Sequence, residues 1–218
     1  MNWRKIGLAV GGVLFVTLAL GAAFGLPTHL FFTPTDSGAS AGLAADDVET
    51  EIVADDLEVP WEVVVLDSDR FLVTERTGDL VLIDDGETAV IERFDELDTP
   101  VLGEGGLLGI AVHPDFEENG YLYVYQTVDR ESVENTVRRF EVDLEAHELR
   151  DETVIIDGIP SDRIHNGGRI AFGPDGLLYI TTGDAADAEL AQDTDSLAGK
   201  ILRLNADGSV PEANPFDS

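Results

Sequence analysis

From about Val48 onward the apolar residues fall in short runs of Val, Ile, Leu, Tyr and Phe, separated by Gly, Asp, Asn and Pro, with almost no helical period. Runs of this kind read as β-strands, alternating where one face is buried and continuously apolar where both are. One theme returns along the chain. His113-Pro114-Asp115 leads through Asn119-Gly120 into Tyr121-Leu122-Tyr123-Val124, and Gly173-Pro174-Asp175-Gly176 leads into Leu178-Tyr179-Ile180-Thr181. A weaker copy runs from Asp67 into Phe71-Leu72-Val73-Thr74 and turns at Thr77-Gly78-Asp79 into Leu80-Val81-Leu82-Ile83. Ile201-Leu202-Arg203-Leu204 is the expected partner of the strand at Leu178. Repeated turn-and-strand units predict an all-β domain over residues 48–218, built as a β-propeller whose blades bury their faces by stacking on neighbours. A β-sandwich is the alternative. At roughly 40–45 residues per blade, at most about four blades fit.

The N-terminus has a different texture. Ile6 to Leu26 is apolar apart from glycines and Thr17 and follows the cations Arg4 and Lys5. That length suits one transmembrane helix across roughly 30 Å of hydrocarbon, and the flanking charges place the rest of the chain outside the cell. Residues 1–31 therefore read as a membrane anchor; a cleaved signal segment, leaving a secreted protein, is the rival reading. Residues 32–47, rich in Thr, Ser, Gly, Ala and Asp, read as a flexible linker.

Charge sharpens the picture. The 218 residues hold 44 Asp and Glu against 13 Lys and Arg, a formal net charge of −31. Such a surface repels itself in dilute buffer, whereas at 1 M salt the Debye length falls to about 3 Å. This predicts a halophile's protein; an acidic disordered chain would not be 44% hydrophobic. With no basic patch to neutralise phosphates, a nucleic-acid partner is not expected. The absence of cysteine excludes disulfides, thiolate metal sites and cysteine nucleophiles.

Three stretches carry more than strand pattern: Gly103-Glu104-Gly105-Gly106-Leu107-Leu108-Gly109 running on to His113-Pro114-Asp115-Phe116, His165-Asn166-Gly167-Gly168-Arg169 running on to Thr182-Gly183-Asp184, and Leu197-Ala198-Gly199-Lys200 running on to Asn214-Pro215-Phe216. Clustered glycines let backbone approach backbone or ligand closely. In this order, and with Pro60-Trp61 and Thr74-Glu75-Arg76 before them, these stretches resemble the pyrroloquinoline-quinone-dependent glucose/sorbosone dehydrogenase family of soluble aldose dehydrogenases, from Leu57 to Phe216.

The resemblance implies a six-bladed propeller, of which about the first half to two-thirds is present. It implies oxidation of the C1 hydroxyl of an aldose to the lactone, with hydride passing to pyrroloquinoline quinone, calcium as a further cofactor, and a separate electron acceptor. His165 matches the family's general base, a role histidine suits because it accepts a proton near neutrality. Asp184 matches the aspartate that orients that base, and Leu190 a leucine that packs on the cofactor. Glu104 stands where well-known members have a glutamine near substrate and quinone; an ionised carboxylate only accepts hydrogen bonds, so this departure touches substrate and activity. Without the resemblance, His165 and Asp184 read as turn-forming residues and Leu190 as packing. His113 reads as part of a blade turn, and Arg169 as structural. No calcium ligand can be assigned. Two other functions stay open: a non-catalytic propeller that binds a partner, and a propeller lactone hydrolase.

Overall fold

The computed structural model describes residues 50–94, 99–129 and 132–216. The expected anchor and linker, residues 1–31 and 32–47, lie outside the described residues. Among the described residues no helix is long and apolar enough to cross a membrane.

Among the described residues three antiparallel meanders follow one another. Sheet 1 is β1 (Pro60–Val65), β2 (Arg70–Glu75), β3 (Asp79–Asp84) and β4 (Glu87–Arg93). Sheet 2 is β5 (Leu107–Val112), β6 (Tyr121–Asp129), β7 (Val133–Asp143) and β8 (Glu148–Pro160), with the single helical turn α1 (Phe116–Asn119) between β5 and β6. Sheet 3 is β9 (Gly167–Phe172), β10 (Leu178–Thr182) and β11 (Ile201–Leu204). The expected partner of the strand at Leu178 is β11, with Ile180 opposite Leu202.

The two-residue strand period builds the stack. Leu107, Ile110, Leu122 and Val124 turn toward sheet 1, where they meet Leu72, Leu80 and Leu82. Their neighbours Leu108, Ala111, Tyr123 and Tyr125 turn the other way and pack with Ile170, Leu178 and Ile180 of sheet 3. Sheet 2 is therefore buried on both faces, which explains its near-continuous apolar runs. The far face of sheet 1, through Val73, Val81 and Ile83, is covered by Ala54 and Leu57. Serial stacking of three sheets is the arrangement of consecutive propeller blades, not of a two-sheet sandwich.

The first strands of the sheets lie side by side, β5 between β1 and β9. Gly109 makes this approach possible: a Cβ there would fall 2.1 Å from the carbonyl oxygen of Gly168. Among the described residues three sheets take up the length that would hold about four blades, because β7 and β8 are long and a long connection separates β10 from β11.

Candidate active site

The loop before β5, the loop before β9 and the loop after β10 bring together Glu104, His165 and Asp184. The backbone of His165 is left-handed, with φ 61°, a conformation that costs an L-residue roughly 1–2 kcal/mol. Ala185 and Ala186 in the facing loop are also left-handed. Backbone outliers of this kind concentrate where a site is held in a required shape.

Three bonds hold His165. Its backbone N–H donates to Glu104 Oε2 at 2.7 Å, and its carbonyl accepts the Ala185 N–H at 3.2 Å. Its Nδ1 lies 2.8 Å from Asp184 Oδ1, an oxygen that also accepts the Ala186 N–H. An ionised carboxylate can only accept, so Nδ1 carries a proton, and in the neutral ring Nε2 keeps a lone pair. The imidazole is 56% exposed, so that lone pair is offered toward solvent-accessible space. The facing loop reaches this close only because residue 183 is glycine: a Cβ there would lie 1.7 Å from the His165 carbonyl oxygen.

Behind the exposed pair lies a buried polar chain that sequence pattern did not single out. Thr127 Oγ1 accepts the Gly106 N–H at 3.1 Å and donates to Asn135 Oδ1 at 2.9 Å. Asn135 Nδ2 donates to Asn166 Oδ1 at 3.1 Å and to the Pro160 carbonyl. Asn166, next to the histidine, also accepts from Ser161 Oγ and donates to the Asp162 carbonyl. Tyr125 donates its phenol to the Asn166 carbonyl at 2.8 Å. Burial pushes the Tyr125 phenol well above its usual range, so it stays a donor. Thr127, Asn135 and Asn166 are essentially inaccessible to water. The available signal was positional: Gln126-Thr127 interrupts an apolar strand, and Thr127 pairs directly with Asn135 across β6 and β7.

The other motif residues lie in the loops around this pair. Leu190 is half-buried at the start of a 3₁₀ turn (Leu190–Gln192) beyond Asp184, and its carbonyl accepts from Lys200 Nζ. That ammonium also serves the carbonyls of Ala191 and Ala198. Arg76 donates to the carbonyls of Gly103 and Gly105, bracing the Glu104 loop. Arg169 lies 4.4 Å from the ring centre of Trp61 and pairs with Glu62. His113 Nδ1 accepts the Asp115 N–H, which makes it a turn residue.

Fold and site together define a β-propeller-like protein whose inner-strand loops present an exposed His–Asp pair. Residues 57–218 match the Glucose / Sorbosone dehydrogenase family, and the chain belongs to it. It is 28% identical to quinoprotein glucose dehydrogenase B of Acinetobacter calcoaceticus, over 93% of this chain and 49% of that protein. The PQQ-bound aldose sugar dehydrogenase of Streptomyces coelicolor superposes with a TM-score of 0.70 at 37% identity, over 76% of this chain and 50% of that one. Human Hedgehog-interacting protein is 36% identical over 51% of this chain and 19% of its own length. The chain thus spans about half the length of the dehydrogenases it matches.

The donor set fits the reacting end of a quinone-dependent site, since a tautomer-fixed imidazole stands open to a hydroxyl. It does not by itself supply the grip on the quinone's carboxylates. Of the nearby cations, Arg76, Arg169 and Lys200 are spent on carbonyls, Glu62 and Trp61, while Arg163, two residues before His165, is exposed. Among the described residues no cluster of three His, Asp or Glu could hold a metal ion.

Proposed function

We propose that this protein is part of an aldose dehydrogenase in which His165 is the general base. The observation that carries the reading is the 2.8 Å His165–Asp184 pair on an exposed ring. The C1 hydroxyl of a cyclic aldose donates its proton to His165 Nε2 as the C1–H bond breaks and the C1–O double bond of the lactone forms. Pyrroloquinoline quinone, when bound, is the acceptor of the hydride. Asp184 holds the ring in the Nδ1–H tautomer and stabilises the imidazolium as it forms. In this reading Leu190 and the Glu104 loop are the parts of this chain that stand nearest the cofactor. No described residue is assigned as a calcium ligand. The reading keeps residues 1–31 as an anchor that holds the domain outside the cell.

The test is complementation. The chain from about Val48 is co-expressed with the half of the Streptomyces coelicolor enzyme that it does not cover, then supplied with the quinone, calcium and glucose. Reduction of an artificial electron acceptor is followed. Sugar-dependent turnover that disappears in His165→Ala, with quinone binding retained, is the expected result; undiminished turnover in that variant would move the base elsewhere. A second reading, a propeller that presents its loops to a protein partner, draws on the likeness to Hedgehog-interacting protein. It predicts that the complemented propeller, even with quinone bound, shows no sugar-dependent turnover.

A further inference from the structure

The Glu104 loop and the His165 loop meet twice, once at the surface and once in the interior. At the surface the Glu104 carboxylate takes the His165 N–H, and the Glu104 N–H donates to the Arg163 carbonyl at 2.8 Å. In the interior Thr127 takes the Gly106 N–H and passes the contact through Asn135 to Asn166. His165 and Asn166 are consecutive, so the two ties grip one dipeptide from opposite sides. A left-handed histidine relaxes toward negative φ unless its neighbours hold it.

We propose that Glu104 and the Thr127–Asn135–Asn166 chain are positioning residues that lock the His165 backbone, and through it register the imidazole on Asp184. This deepens the assignment of His165 as the base and rests on it. It also gives the carboxylate at 104 a task that needs only an acceptor oxygen, which a glutamine side chain also supplies, though without the charge. The departure from glutamine therefore keeps the contact. The interior tie uses a hydroxyl as both acceptor and donor, a part that serine can play and valine cannot.

The experiment is amide hydrogen exchange and proton NMR on the chain itself, in concentrated salt, with no cofactor. Glu104→Ala should speed exchange of the His165 N–H by roughly 10-fold or more, the loss expected for one hydrogen bond to a charged group. The His165 Nδ1–H resonance should broaden or vanish, while protection in β6 and β7 is unchanged. Glu104→Gln should restore both signals. Thr127→Val should loosen the Gly106 and His165 amides together, and Thr127→Ser should restore them. Because Glu104 is exposed, its variants stay folded even if those at Thr127 do not. An unaltered His165 amide and Nδ1–H in Glu104→Ala would overturn the proposal. These signals do not depend on turnover, so a complemented enzyme that ignores His165→Ala would sink the base assignment and leave the lock standing.

Discussion

Nδ1 of His165 and Oδ1 of Asp184 sit 2.8 Å apart although they come from different loops, one entering β9 and one leaving β10. Antiparallel pairing of those two strands puts both loops at the same end of the sheet, so neighbouring strands make the site. In the complemented enzyme, His165→Ala should cost roughly 10²- to 10⁴-fold in turnover, the range for a general base. Asp184→Asn keeps the shape and loses the charge and the tautomer preference; roughly 10- to 100-fold is expected. Steady-state rates of the two variants check the order, and an aspartate variant more damaged than the histidine variant would refute the division of roles.

Gly183→Ala should be more harmful than its size suggests. The added methyl would overlap the His165 carbonyl oxygen, and the loops must part, at about 1–3 kcal/mol for overpacking of this kind. Denaturant unfolding should show that loss together with a missing Nδ1–H resonance. Wild-type stability would mean that the loops are not in contact.

Tyr125 ties stability to high pH. Its folded pKa is raised by burial above the usual value of about 10, so its contribution is complete below that value and is lost as pH rises toward the folded one. Tyr125→Phe should cost about 1–3 kcal/mol near neutrality, because the Asn166 carbonyl loses its donor. Between about pH 10 and 12 it should lose less further stability than the wild type. Tyr123, also raised by burial, keeps part of the slope. Urea midpoints across that range test the sign; parallel curves would exclude the tyrosine as its source.

Salt is the bulk test. With a net charge of −31, the thermal midpoint should rise from dilute buffer to multimolar potassium chloride as repulsion is screened. A midpoint indifferent to salt would remove the argument for a halophilic surface.

The sheets were legible where turn chemistry and apolar runs coincide. The hairpins at Phe71–Ile83 and around β10 follow from Gly78, from Asp175-Gly176 and from side chains that alternate. β4 and β8 were not singled out, because as outer strands they bear charged and exposed residues whose pattern resembles loops. In the site, His165, Asp184 and Glu104 stood out by family likeness and do come together, whereas Leu190 sits on a turn governed by Lys200. The Thr127–Asn135–Asn166 chain escaped notice for a physical reason. Asn166 is distant in sequence from the Thr127–Asn135 hairpin pair, and buried asparagines and threonines look like surface polar residues until their partners are known.

Gly109 bears on the circumference of the whole assembly. Away from the hub, side chains such as Tyr123 and Ile180 keep stacked sheets apart at about 10 Å. At the hub, sheets 2 and 3 touch peptide to peptide, with no room for even one methyl. Sheets 2 and 3 therefore form a wedge, and the arc it subtends is the difference between a thick rim and a thin centre. A side chain at 109 would thicken the centre alone and flatten the wedge, so a ring of such sheets would need more members to come full circle.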